Sequence, residues 1–304
     1  MTGRRLRQTE PKTCVVTGAS SGIGRAIALE LANRGVRVVL VCRNPQLAER
    51  VAAEIGALPS AIPPVIFQAD LCSLASVYSL ADAIAQSEMR IDALVNNAGV
   101  LLKKRNATED GFEATFMVNY LAPFALTLEL LPVLKASGSA RIVNVASDVV
   151  RQFPSIDWSD LQAERRYGMV RAYRQSKLAL VLFTFELARR LAGALTVNCV
   201  HPGNVETNMT VHGPLIDLLR PLLPSTTAEV AGRNCADLAI SPAFEGVTGQ
   251  YFEHGKSRSA GSRSRDAAAA RRLWDISEQL IRDGRQKAKR ARAEGVFAVA
   301  GSAE

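Results

Sequence analysis

From residue 12 to about residue 252, short apolar runs alternate with helical patterns, and no other feature constrains the fold as much. The runs are Thr13–Thr17, Val36–Cys42, Val65–Ala69, Ala93–Asn96, Arg141–Val145, Thr196–Val200 and a weaker one at Gly249–Phe252. Most are rich in Val and Ile without strict polar alternation, the pattern of strands covered on both faces. Helical spacing recurs between them, at Ile23–Arg34, Gln46–Ile55, Leu74–Gln86, Phe112–Leu134, Ala172–Leu191 and Ala228–Ala239. Repeated β-α-β units with right-handed crossovers predict an α/β fold, a doubly wound, seven-stranded parallel sheet with helices on both faces. One domain over residues 12–282 is expected, after an N-terminal extension, 1–11. Lys256–Arg265 reads as a Ser/Gly/Arg-rich loop and Asp266–Arg282 as a further helix. Residues 283–304 read as a basic tail, frayed or disordered.

The composition suits a globular domain, with 48% hydrophobic and 22% charged residues among 304. The formal net charge of +8 is concentrated in residues 256–293, which hold 12 Lys+Arg against 4 Asp+Glu; the remainder nets to zero. Five cysteines, at 14, 42, 72, 199 and 235, form no disulfide or zinc spacing and read as reduced, mostly core thiols. The apolar runs Tyr120–Leu134 and Leu178–Leu187 fall short of a bilayer span. Met1–Lys12 is basic, with no apolar stretch suited to a signal peptide. A cytoplasmic protein is the resulting expectation. The basic C-terminus has few aromatics, so no nucleic-acid partner is expected, and at most a peripheral contact with anionic lipid.

The first strand runs directly into Thr17-Gly18-Ala19-Ser20-Ser21-Gly22-Ile23-Gly24 and then a helix. Glycines there let the backbone turn and approach a pyrophosphate, and the helix N-terminus offers free N–H groups. The spacing G-x-x-x-G-x-G resembles the short-chain dehydrogenase/reductase family, a single-domain Rossmann fold, over about residues 12–281. The resemblance implies a nicotinamide dinucleotide held by Gly18, Ser20, Ser21, Gly22, Ile23 and Gly24. The second strand ends Val41-Cys42-Arg43, with no acid for a ribose 2′-hydroxyl. Arg43, and Arg25 after the Gly loop, would meet a 2′-phosphate, so NADP(H) is expected over NAD(H). Asp70-Leu71 and Asn96-Asn97-Ala98-Gly99, at the ends of the third and fourth strands, occupy positions that flank the adenine in the family.

Tyr173-Arg174-Gln175-Ser176-Lys177 carries the strongest chemical signal. Residues i and i+4 share a helix face, and an ammonium there favours a tyrosinate. The resemblance then implies an oxidoreductase of CH–OH and C=O groups. Tyr173 is its general acid/base, and Lys177 binds the nicotinamide ribose and lowers the tyrosine pKa. Ser147, closing the fifth strand, hydrogen-bonds the substrate oxygen, and Asn119 holds a water in the proton relay. Pro202, Gly203, Val205 and Thr207 shape the nicotinamide pocket. His201 has no second ligand at a useful spacing for metal binding.

Between Ser147 and Tyr173 lie 25 residues, including Ile156-Asp157-Trp158-Ser159-Asp160-Leu161. This insertion, with Gly249-Gln250-Tyr251-Phe252 and Leu273-Trp274, is similar to the retinol dehydrogenase-like branch. Protochlorophyllide reductases share part of the pattern. No N-terminal membrane anchor is expected, in contrast to many retinol dehydrogenases. The apolar, proline-broken segment Asn204–Pro224 reads as a lid over a lipophilic substrate, retinoid-, steroid- or quinone-like. The helices Phe112–Leu134 and Ala172–Leu191 are apolar over more than one face, which predicts a homodimer or homotetramer. A cofactor-binding regulatory or scaffold protein on the same fold is the rival reading.

Overall fold

The structure is a computed structural model that describes residues 11–59, 61–87, 89–152, 155–205 and 226–293, with side chains described up to residue 286. The strands are β1 (Thr13–Thr17), β2 (Arg37–Cys42), β3 (Val65–Gln68), β4 (Ala93–Asn96), β5 (Arg141–Val145), β6 (Thr196–His201), β7 (Tyr251–Glu253) and β8 (Lys256–Arg258). They form one sheet in the order β3-β2-β1-β4-β5-β6-β7-β8. The seven expected strands are all parallel. The order reverses between β1 and β4, which opens a crevice at the strands' C-terminal ends.

The eighth strand corrects the expectation of seven. β8 pairs antiparallel with β7 inside the stretch read as a loop. His254 (φ 49°) and Gly255 (φ 71°) join the two strands. Positive φ at both central residues matches the twist of a two-residue hairpin.

Helices α1 (Gly22–Asn33), α2 (Pro45–Gly56) and α6 (Ala228–Ile240) cover one face of the sheet. Helices α3 (Leu74–Gln86), α4 (Ala114–Ala136), α5 (Met169–Leu191) and α7 (Ala267–Ala293) cover the other. α1 and α6 touch closely because Gly232 lies against the backbone of Ala26, where a Cβ would collide. α4 is the one helix, among the described residues, long and apolar enough to cross a membrane, but most of it is core. It is not a plain α-helix: Met117–Leu121 form a π turn within it.

α7 packs on the helices from which an oligomer was expected. Its Leu273, Trp274 and Ile281 are buried. Trp274 meets Phe124 of α4 and Phe183 of α5 at ring-centroid distances of 5.1 and 5.9 Å. Arg190 of α5 lies 4.1 Å over the Trp274 ring, and Ser277 Oγ lies 2.6 Å from Tyr120 Oη. The surplus apolar surface of α4 and α5 is therefore covered by the same chain. The boundary expected at residue 283 also falls inside α7. Gly284 packs on Leu74, and Arg285 bonds Glu129 at 3.0 Å and stacks over Tyr78.

Candidate active site

The crevice is assembled from the loops that leave β1, β4, β5 and β6. Gly18 (φ 66°) turns the chain out of β1, and a Cβ there would come within 2.9 Å of Ala98 Cα. A Cβ on Gly24 would collide with the Gly18 carbonyl oxygen. Thr17 Oγ1 accepts hydrogen bonds from the N–H groups of Asn97 (3.0 Å) and Ala98 (3.1 Å). Asn97 Nδ2 donates to the Thr17 carbonyl at 2.9 Å. Asn97, Ala98 and Gly99 are half-buried beside this loop, and Asn97 serves first to staple the β1 and β4 exits together. Sequence reasoning passed over Thr17, whose sole signal was its place before the Gly loop.

The α1 N-terminus fits a pyrophosphate. Its N-cap, Ser21, makes no side-chain capping bond, and no acid lies in the first turn. The early N–H groups thus have no side-chain cap, as an anion site requires. Gly22 (φ 52°) and Ile23 are half-buried at this end, and Ser20 hydrogen-bonds Cys42 at the end of β2.

The two arginines differ. Arg43 is exposed directly after β2, and no acid among the described residues forms a salt bridge with it. Arg25 instead pairs with Glu54 of α2, with Nε 3.1 Å from Oε1 and a second contact from Nη2 to Oε2. Arg25 thus has a counter-ion of its own, whereas Arg43 has none among the described residues. Asp70 is exposed and accepts from the Cys72 N–H at 2.9 Å, while Leu71 is buried beside it.

Tyr173 and Lys177 lie one turn apart on α5, with the ammonium 5.8 Å from the phenol ring centroid. Lys177 is buried, and its one hydrogen bond among the described residues runs to the Val145 carbonyl at 2.8 Å. An ammonium has three donors, so the remainder suit a ribose. Burial lowers the Lys177 pKa to about 8. In the cofactor-free protein the phenol is shifted the other way. Burial raises the phenol to about 12; the Ser147 hydroxyl opposes this and Asp148 adds to it. Desolvation disfavours the charged form of each group and is the largest cause of both shifts.

Ser147 is half-buried just beyond β5. Asn119 sits in the π turn of α4 with both amide protons used, by the Val100 carbonyl (3.0 Å) and Ser176 Oγ (3.0 Å). Its Oδ1 accepts from the Val100 N–H at 2.7 Å. The side chain is a clasp between the β4 exit and α5. π turns recur at functional sites.

Pro202 and Gly203 are buried after β6, and Gly203 (φ 94°) leaves no room for a Cβ beside Thr226. Val205 is half-buried. Thr207 and nearly all of the expected lid lie outside the described residues.

Residues 12–213 match the family model of the short chain dehydrogenase. The chain belongs to the short-chain dehydrogenase family. It is retinol dehydrogenase-like: it is 42% identical to "Retinol dehydrogenase 14" of Mus musculus over 287 residues, covering 89% of this chain and 86% of that protein. A putative uncharacterized protein from Mycobacterium Paratuberculosis superposes with a TM-score of 0.72 at 32% identity, covering 90% of this chain and 96% of that one. A putative NAD(P) dependent gluconate 5-dehydrogenase from Beutenbergia cavernae, with bound NADP at low occupancy, gives 0.65 at 30% identity, covering 81% and 96%. This short-chain dehydrogenase is thus an oxidoreductase of alcohols and carbonyls that uses a nicotinamide cofactor and a small-molecule substrate.

Proposed function

We propose that the protein is an NADP(H)-dependent dehydrogenase interconverting a lipophilic alcohol, retinoid-, steroid- or quinone-like, and its aldehyde or ketone. The observation that carries this reading is Tyr173 and Lys177, one turn apart on α5, with Ser147 against the phenol at the C-terminal end of β5. When bound, the nicotinamide supplies or accepts the hydride. The chain's residues manage the oxygen. Ser147 donates a hydrogen bond to it, and Tyr173 gives it a proton in reduction or takes one in oxidation. Lys177 holds its charge beside the phenol and its spare donors toward the ribose. Asn119 fixes α5 against the β4 exit.

NADP(H) is favoured by the unpaired Arg43 after a strand that ends in Cys42 rather than an acid. The NADP of the Beutenbergia cavernae protein supports it; a similar reductase from Brucella melitensis was solved with NADH. The lipophilic substrate is supported by the retinol dehydrogenase relatives. The test is turnover with NADPH and with NADH against aldehydes, ketones, quinones, steroids and retinoids. NADPH-dependent reduction of an apolar carbonyl is the expected result. Tight NADPH binding without turnover on any class would favour the regulatory or scaffold reading.

A further inference from the structure

Asp148 follows Ser147 where β5 gives way to the short 3-10 turn Asp148–Gln152. The Ser147 hydroxyl points to its Oδ1 at 3.5 Å, the outer limit of a hydrogen bond. The same oxygen lies 3.8 Å from Nε2 of His201, the last residue of β6. His201 is 5% exposed, and its Nδ1 has no hydrogen-bond partner among the described residues. A line of polar groups therefore runs from Tyr173 through Ser147 and Asp148 to a buried imidazole.

We propose that Asp148 is a positioning residue that sets the protonation balance of Ser147 and Tyr173. The proposal rests on the dehydrogenase reading above. Two physical effects follow from where the carboxylate sits. A serine hydroxyl has one proton, so donation to Asp148 competes with donation to the substrate oxygen. A carboxylate beside a phenol also disfavours the phenolate, in agreement with the upward push of Asp148 on Tyr173. The acid form of Tyr173, which carbonyl reduction needs, is thereby kept over a wider pH range.

The surrounding charges leave this effect in place near neutrality. Arg151, in the same turn, is engaged by Glu253 of β7 at 2.8 Å and by the Ser259 carbonyl at 3.0 Å. Tyr251 of β7 and His254 of the hairpin are further titratable groups around the pair among the described residues. Burial lowers the His201 pKa, so the imidazole is neutral at neutral pH and cancels the carboxylate only in acid.

The test is the pH dependence of kcat/KM in both directions, for wild type, Asp148→Asn, Asp148→Ser and Asp148→Glu, with NADP(H) and a soluble alcohol–carbonyl pair. Ultraviolet difference titration of the phenolate, against Tyr173→Phe, gives a readout independent of turnover. Losing the charge should move the rising limb of oxidation to lower pH by about half to one unit. Below that limb, oxidation should then run about three- to tenfold faster, and Asp148→Glu should keep the wild-type limb. Coincident limbs and phenolate titrations in wild type and both neutral variants, with Tyr173→Phe inactive, overturn the proposal alone. An active Tyr173→Phe overturns the dehydrogenase reading, and the proposal with it.

Discussion

The Lys177 ammonium donates to the carbonyl of Val145, two residues before Ser147, at 2.8 Å. This bond ties α5 to the end of β5, so Tyr173 and Ser147 are set against each other by backbone as well as by side chains. It also buries a cation with one protein acceptor, and both consequences can be measured.

Tyr173→Phe keeps the ring and removes only the transferable proton. Turnover should fall by about 10²–10⁴-fold, while the circular dichroism spectrum and NADPH binding stay close to wild type. A folded variant that binds NADPH and turns over at the wild-type rate excludes Tyr173 as the acid/base.

The two arginines should separate in cofactor titrations. Arg43→Ala removes an unpaired guanidinium, and a charge-assisted hydrogen bond is worth about 1.5–3 kcal/mol. NADPH affinity should fall by about 10–100-fold with NADH affinity unchanged. Arg25→Ala breaks an ion pair with Glu54 instead, and should change the NADPH to NADH ratio by less than about threefold. Calorimetric titration with both cofactors decides between them.

The buried lysine makes cofactor-free stability depend on pH. Its folded pKa, about 8, lies below the usual lysine value, so between these values the unfolded chain binds more protons. Stability therefore rises with pH across this window. From pH 7 to pH 9 this group should contribute about 1 kcal/mol. Urea unfolding of wild type and Lys177→Met at both pH values isolates the contribution. An equal pH response in the two proteins would refute it.

Trp274 should matter for stability more than any other residue of α7. Cutting it to Ala empties a site bounded by Phe124, Phe183 and Arg190, at a cost of about 3–5 kcal/mol. Deletion from Ala267 onward uncovers the apolar faces of α4 and α5, and the product should self-associate in sedimentation beyond the state of the full chain. Truncation before Gly284 loses the Arg285 contacts and should cost only about 1 kcal/mol, with turnover nearly unchanged.

The central strands were legible because Val and Ile runs leave a strong local signature, and the Gly loop because its spacing is stiff. What lay beyond local pattern was not. The pairing of Arg25 with Glu54 spans 29 positions of sequence and leaves no periodic trace. The apolar residues of α7 announced a helix, yet not that it would cover the surplus of α4 and α5. The β7–β8 hairpin hid in a Ser/Gly/Arg-rich stretch because His254-Gly255 is a weak turn signal. Asp148 drew no notice because its meaning comes from His201, on another strand.

The π turn at Met117–Leu121 holds one residue more than an α-helical turn. Each α-helical residue turns the chain by about 100°, so everything after the insertion is rotated by about that much. One helix can thus present different stripes to different neighbours: Ala114–Phe116 toward α5, and Ala122–Ala136 chiefly toward α3. A single-residue deletion here would restore a straight rod and swing Phe124, Leu126 and Leu130 off their partners, although no side chain in the crevice had been touched.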